Sequence, residues 1–298
     1  MKLIVVLGPT AAGKSEMALE LARRLGGELL CIDSTTVYRE LAVGTAKPGP
    51  QERAEVPHHL LDLVSIRDPF SFAQFKRAAE DCLEDCRQRG VQPILVGGTH
   101  LYLKGILEGY QLSDVPPDPE FRQWAETQSL EALVARLLEV DPPCREIVDL
   151  QNPRRVIRAL EVCRQGSFSA QYRRQPLPYP VVRVGLSLDK PELQARVERR
   201  LEMMIEAGWL EEVEGLLGMA EELRKLRIIG YCELLDVLEG KLTLAQAREL
   251  ITRATLQLAR KQMVWYRREQ GVNWLRYDDP DRFEAAQSLA AGFLVLQE

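Results

Sequence analysis

No run of this 298-residue chain approaches the eighteen or so unbroken apolar residues of a membrane-spanning helix, so no such span is expected. The short apolar stretch in "MKLIVVLGPT" leads straight into a glycine-rich loop without a small-residue cleavage site, and so reads as a buried strand rather than a signal peptide. A basic surplus is also missing. Lys and Arg number 39 against 44 Asp and Glu, a net charge of −5, which excludes a global attraction to nucleic acid or an anionic membrane; a polyanionic partner must meet a local basic patch. None of the six cysteines forms a C-x-x-C pair. Cys82 and Cys86, one helix turn apart, could share a ligand, but the expectation is core thiols of a reducing cytosol. Histidine is scarce too, at three residues, and His58 and His59 on an extended segment point to opposite sides, which suits a structural or substrate-lining role better than a metal pair. There is no repeat and no low-complexity tract.

What is present alternates between strand and helix patterns. Leu3 to Leu7 is continuously apolar, as for a strand covered on both faces. Met17, Ala18, Leu21, Ala22 and Leu25 recur at helical spacing over Lys14 to Leu25, and Gly26-Gly27 stops that helix. "ELLCID" (28–33) reads as a second strand ending at Asp33, "QPILVGG" (92–98) as a third and "VVRVGLSL" (181–188) as a fourth, with an amphipathic helix from Ser71 to Arg89. The alternation predicts an α/β fold, a parallel sheet flanked by helices. Two proline-rich crossings, "SDVPPDPE" (113–120) and "RRQPLPYP" (173–180), enclose mostly helical sequence containing Arg154, Arg155, Arg158 and Arg164. This predicts a small helical insertion over 113–180 on a core made of 1–112 and 181–298. From Leu193 the chain reads as helical almost to its end.

The stretch "GPTAAGKS", Gly8, Pro9, Thr10, Ala11, Ala12, Gly13, Lys14 and Ser15, fits G-x-x-x-x-G-K-[ST] between a strand and a helix. The glycines let backbone N–H groups turn inward on an anion, the helix N-terminus and Lys14 add positive charge, and Ser15 can hold a magnesium ion. An ordinary NTPase also has an apolar strand ending in a metal-anchoring Asp. Here "PILVGG" ends in Gly97-Gly98-Thr99, with no acid. A cradle for a diphosphate without water-activating apparatus suits one chemistry: the diphosphate leaves intact, and the carbon attached to it moves. In a parallel sheet, ligands sit at the C-terminal ends of strands. There Asp33 can accept a proton from an incoming nucleophile or, more plainly, form a turn, and Thr99 can donate a hydrogen bond to a departing diphosphate.

Over nearly its full length the sequence resembles the bacterial tRNA dimethylallyltransferases, also called tRNA isopentenyltransferases. The resemblance rests on "GPTAAGKS" (8–15), "DSTTVYR" (33–39), "VGTAKP" (43–48), "PHHLLDL" (57–63), "VGGTHLY" (96–102), "NPRRVIRALEV" (152–162), "IGYCELLDVLEG" (229–240) and "LARKQMVWYRR" (258–268), in that order. It implies a P-loop core with a helical insertion and a helical C-terminal portion. The implied reaction moves the dimethylallyl group of dimethylallyl diphosphate, with Mg²⁺, to N6 of the adenosine just 3′ of the tRNA anticodon. It implies catalytic roles for Asp33, Thr99 and Lys14, and a diphosphate contact from Arg200, with Arg196 and Arg199 as neighbours easily confused with it. Contacts to tRNA are implied at Asp33, Ser34, Thr35, Thr36, Thr99, Arg122, Arg154, Arg155, Arg158 and the Arg227–Cys232 stretch, with the target base flipped from its stack. A monomer in the cytoplasm is the accompanying expectation.

Three positions depart from the family pattern. Thr36 stands where Gln is usual, Cys232 where a basic residue follows "GY", and Leu256 where an arginine is usual. The interleaved aromatics and arginines of "WYRREQGVNWL" (265–275) suit either base stacking or a core edge. Three other functions fit parts of the sequence. Prenylation of free adenine nucleotides would not need the arginine-rich insertion, a small-molecule kinase would lack its strand-end acid, and a non-catalytic tRNA-binding module would leave the diphosphate cradle idle.

Overall fold

A computed structural model describes residues 1–110, 113, 115–172 and 174–295. In chain order the elements are β1 (Leu3–Leu7), α1 (Lys14–Leu25), β2 (Gly27–Cys31), α2 (Pro50–Glu55), β3 (His58–His59), α3 (Phe72–Arg89), β4 (Gln92–Val96) and α4 (His100–Leu107). Then come α5 (Pro119–Glu126), α6 (Leu130–Val140), α7 (Cys144–Ile147), α8 (Pro153–Cys163) and α9 (Phe168–Gln171). The chain continues with β5 (Val181–Ser187), α10 (Lys190–Glu206), α11 (Trp209–Gly215), α12 (Ala220–Leu226), α13 (Tyr231–Leu238), α14 (Leu244–Tyr266), β6 (Val272–Arg276) and α15 (Arg282–Val295). No described helix is long and apolar enough to cross a membrane.

Residues Met1–Lys104 and Pro178–Glu298 form one compact unit, and Gly105–Leu177 a second. The first is built on a six-stranded sheet, order β3-β2-β4-β1-β5-β6, in which every pairing is parallel. β1 lies between β4 and β5, in register Ile4 to Ile94 and Val182. All five of its residues are buried, which is why its apolar run has no alternation. One face packs Ile4, Val6, Ile94 and Val184 against Met17, Ala18 and Leu21 of α1 and Ala286 and Ala290 of α15. Gly26 ends α1 in the left-handed conformation, and Ser71 opens α3 with a capping box to Gln74.

Two strands go beyond the sequence reading. β3 is only two residues long, and β6 interrupts the segment read as helical to the end. β2 stops at Cys31, so Asp33 stands two residues past the strand rather than closing it. The loops that follow β1, β2 and β4 leave the same C-terminal edge of the parallel sheet and meet at one cavity.

The second unit is helical, with a core of Phe121, Leu133, Leu137, Val156, Ala159 and Leu160. Asn152 caps α8 and Pro153 opens it. The unit begins at Gly105, ahead of the proline-rich crossing, because Gly109 and Gln175 share backbone hydrogen bonds and Tyr110 bridges Arg174. Leu112, Asp114 and Arg173, where the sequence sets the insertion's edges, lie outside the described residues.

Candidate active site

The loop after β1 is built to face an anion. Gly13 N-caps α1 at φ 84°, and a Cβ there would come within 2.8 Å of the Tyr277 ring, so the turn has room only for glycine. Ala11 is also held at φ 62°. The first amides of α1, at Lys14 and Ser15, have no intrahelical acceptors, and the helix dipole adds to them. Lys14 folds back to donate to the Pro9 carbonyl at 2.8 Å. Burial first, then repulsion by Arg200, pulls its ammonium down to about 7, while Asp33 pulls the other way. Arg200, on α10, donates to Thr10 Oγ1 at 3.3 Å, and burial lowers its basicity too. Arg196, one turn earlier, donates to the Ala11 carbonyl at 2.7 Å and lies 3.7 Å over the Tyr277 ring. Arg199 is exposed on that helix. The structure therefore separates three arginines that the sequence leaves together: Arg200 lines the cavity, Arg196 braces the loop from behind, and Arg199 does neither.

Asp33 faces this cradle from the β2 side. Its Oδ1 accepts from the Thr35 amide at 2.9 Å and the Thr35 hydroxyl at 2.7 Å. No described hydrogen bond engages Oδ2, which sits beside Gly98. The Thr99 hydroxyl accepts from the Ser34 amide at 3.1 Å and meets Ser34 Oγ at 3.3 Å, tying the end of β4 to the Asp33 turn. Burial and the Asp33 charge push the Cys31 thiol up to about 12, so it stays protonated and inert near neutral pH. Thr36 is buried, and its Oγ1 has no partner.

These groups share one cavity of about 870 Å³. Thr10, Lys14, Ser15 and Arg200 form its anion-binding end and Asp33 to Thr36 one wall. Leu201, Met204, Ile229 and Ile251 supply an apolar surface. A further wall was not legible in the sequence. Trp209, 2% exposed, is wedged between Gly44 of "VGTAKP" and Gly230 of "IGY". Beside it the Glu212 carboxylate accepts from the Ala42, Val43 and Gly44 amides at 2.9, 2.7 and 3.3 Å, and from the Tyr231 hydroxyl at 2.7 Å. The family-like glycines thus serve as clearance for an indole. Trp265 also lines the cavity, stacked on His100 at 5.0 Å, and His100 is held by Glu269 at 2.9 Å. Leu256 lies instead in a separate groove between α10 and α14, and half-buried Cys232 does not line the cavity.

The insertion's arginines are organised by one acid. Glu161, whose side chain is wholly buried, receives two hydrogen bonds from Arg122 at 2.7 and 2.9 Å and one from Arg158 at 3.1 Å. These contacts hold its carboxyl below the usual range against the opposing effect of burial. Arg155 pairs with Asp149 at 3.3 Å. Arg154 is exposed; its amide is capped by Asn152 at 3.1 Å, and its guanidinium has no hydrogen bond or ion pair among the described residues.

His59 does come near two other potential metal ligands, Glu28 and Cys86. Arg89 already occupies that position, however, with both guanidinium nitrogens on Glu28 at 2.6 and 2.7 Å, and His59 bonds Glu28 at 2.7 Å. Arg89 first, then His59, lowers the Glu28 carboxyl to about 2. The "PHH" segment is a charged clasp on the sheet's edge strand.

A family model described as IPP transferase matches residues 36–269. The chain is 41% identical over 291 residues to tRNA dimethylallyltransferase 2 of Geotalea uraniireducens, covering 94% of this chain and 93% of that protein. It is 42% identical over 298 residues to tRNA dimethylallyltransferase of a Synechococcus strain, covering 99% and 88%. Among solved structures, the full-length tRNA isopentenylpyrophosphate transferase from Bacillus halodurans superposes with a TM-score of 0.71 at 33% identity, covering 98% of this chain and 96% of that one. A eukaryotic dimethylallyltransferase acting on tRNA gives 0.81 at 26%, covering 98% and 78%. With agreement of this extent in sequence and fold, the chain belongs to the IPP transferase family, together with the tRNA dimethylallyltransferases.

Proposed function

We propose that this protein transfers the dimethylallyl group of dimethylallyl diphosphate to N6 of the adenosine 3′-adjacent to the anticodon, position 37, of tRNA, releasing diphosphate. The observation that carries this reading is the pairing, in one cavity, of a cationic phosphate loop with the open Oδ2 of Asp33, where β4 is followed by Gly97-Gly98 instead of an acid.

Within the Gly8–Ser15 loop the diphosphate is bound by amides not already engaged, those of Lys14 and Ser15 at the start of α1 among them, by the Lys14 ammonium and by Arg200; Pro9 has no N–H, and the Thr10 and Ala12 amides are held by Gln262 and the Pro9 carbonyl. An allylic carbon can carry positive charge, so the carbon–oxygen bond breaks once the leaving group's charge is neutralised. The exocyclic amine of adenine is a weak nucleophile because its lone pair is delocalised into the ring. Asp33 orients it and takes its proton at Oδ2 as the new carbon–nitrogen bond forms. Thr99 turns its hydroxyl from Ser34 to the leaving diphosphate. The apolar surface of Leu201, Met204 and Ile251 excludes water that would otherwise capture the allylic carbon.

Mg²⁺ fits the donor set. Ser15 is exposed at the cradle, with no side-chain hydrogen bond among the described residues, and its hydroxyl, the Asp33 carboxylate and the oxygens of the diphosphate are donors that suit a hard cation. Ser15 would hold it together with diphosphate oxygens, and when bound it neutralises charge on the leaving group. Ser34, Thr35, Thr36 and Thr99 line the route of the flipped base, and Arg122, Arg154, Arg155 and Arg158 meet the RNA backbone. The protein acts as a cytoplasmic monomer.

The test is direct. Purified protein, dimethylallyl diphosphate, Mg²⁺ and unmodified tRNA are combined, and the digested nucleosides are analysed by mass spectrometry. One dimethylallyl group on adenosine 37 is the expected product. ADP formed from ATP, or prenylation of free AMP in preference to tRNA, would replace this reading with one of its rivals.

A further inference from the structure

Gln262 of α14 is a polar side chain on an otherwise apolar helix face, between Ala259 and Tyr266, and it is 93% buried by an exposure of 7%. Both ends of its amide are used. Oε1 accepts from the Thr10 amide at 2.7 Å, and Nε2 donates to the Gly98 carbonyl at 2.9 Å. The amide's orientation follows from its partners, since an N–H needs an acceptor and a carbonyl needs a donor. One turn later the Tyr266 hydroxyl donates to the Gly97 carbonyl at 3.3 Å. α14 therefore lays two side chains across the end of β4, and one of them reaches on to the phosphate loop.

Close packing accounts for the glycine pair that follows β4. A Cβ at Gly98 would come within 2.6 Å of Gln262 Nε2, and one at Gly97 within 1.9 Å of the Ile32 carbonyl. Thr10 is held twice over, its amide by Gln262 and its hydroxyl by Arg200. Gln262 thus joins the loop that would grip the diphosphate to the turn carrying Thr99, which in turn bonds the Ser34 amide beside Asp33.

We infer that Gln262 is a positioning residue: it fixes the distance between the diphosphate cradle and the Asp33–Thr99 side of the cavity, and so sets the approach of the acceptor amine to the allylic carbon. This deepens the proposed prenyl transfer and rests on it. Gln262 lines the cavity, but its Oε1 and one Nε2 hydrogen are already engaged by the Thr10 amide and the Gly98 carbonyl, so it acts through those two groups. Loss of both bonds lets the two sides shift independently, and a misplacement of about 1 Å costs on the order of 100-fold in a reaction that depends on alignment.

The experiment compares wild type with Gln262→Met, which keeps the length and loses both hydrogen bonds, and Gln262→Glu, which keeps the acceptor for Thr10 and loses the donor to Gly98. The measurements are kcat, separate KM values for prenyl donor and tRNA, melting temperature, and affinity for inorganic diphosphate with Mg²⁺. For both variants kcat is expected to fall about 10- to 100-fold. The prenyl-donor KM and the diphosphate Kd should rise at least threefold, with the tRNA KM within twofold of wild type. A kcat within threefold of wild type in either folded variant overturns the inference, as does a loss confined to the tRNA KM. If wild type itself transfers no prenyl group, the functional reading fails separately, and the diphosphate affinities then decide: an unchanged Kd in Gln262→Met removes Gln262 from the cradle.

Discussion

On the proposed reading, Lys14 makes diphosphate binding a proton-coupled event. With no anion beside it the ammonium is pulled down from 10.5 to about 7, chiefly through burial and then through Arg200. A bound diphosphate places negative charge against the ammonium and restores its basicity. Between pH 7 and the restored value the free protein lacks a proton that the complex holds, so binding takes up a proton and weakens as the pH rises. With a restored value near 10.5, uptake at pH 8 is about 0.9 proton, and affinity falls roughly 20-fold from pH 7.5 to pH 9. Below pH 7 both states hold the proton and this dependence flattens. Calorimetric titration of inorganic diphosphate at pH 8, in buffers of differing ionisation enthalpy, reads the uptake as a slope. Lys14→Met should bind far more weakly and show a slope lower by about that 0.9 proton, since the diphosphate's own proton contributes to both. Equal slopes for wild type and Lys14→Met at pH 8 would show that Lys14 is already charged before the anion arrives, and the electrostatic account of the cradle would be wrong.

Asp33→Ala should reduce transfer by about 10²–10⁴-fold while leaving diphosphate affinity nearly intact, and near-normal turnover in a single-turnover assay would remove its role as base. Arg154→Glu should raise the tRNA KM about threefold to tenfold with no change in melting temperature, since the guanidinium has no described partner and phosphate contacts are electrostatic. Arg158→Glu should in addition destabilise the insertion by about 3 kcal/mol, because it turns a like charge on buried Glu161; equal melting curves for the two variants would contradict the structure. Gly44→Ala places a methyl 2.0 Å from Trp209 Nε1 and should cost about 1–3 kcal/mol in denaturant unfolding, whereas an unchanged midpoint would mean that the indole is free to move.

The strands that build the sheet's centre were legible because burial on both faces makes them uniformly apolar, as in Leu3–Leu7 and in Ile94–Val96. The outer strands were not. His58–His59 is too short to carry a pattern, and Val272–Arg276 has no fully buried residue, with only Gly271 in the sequence to mark its separation from the long helix. In the site, the motif residues Lys14, Ser15, Asp33 and Thr99 do converge on one cavity. Sequence could not choose among Arg196, Arg199 and Arg200, since only the rotation of α10 about its axis separates them. Nor could it assign Trp209, Glu212 or Tyr277, whose importance comes from contacts made with residues far along the chain. Gln262 left a faint signal, a polar residue in phase with Ala259 and Tyr266. Arg122 and Arg158 look in sequence like free surface charge, yet both serve a buried carboxylate.

That last arrangement changes what a polyanion would meet. Arg122, Arg155, Arg158, Arg164 and Arg174 each have a carboxylate partner within their own unit. A phosphate backbone arriving there trades one anion for another and displaces fewer small ions than five bare cations would. The logarithmic dependence of RNA affinity on salt should therefore be shallower than a count of these arginines suggests. Rigid guanidinium forks held in advance would then contribute through geometry more than through net charge, which is how an acidic protein can discriminate among RNAs without clinging to all of them.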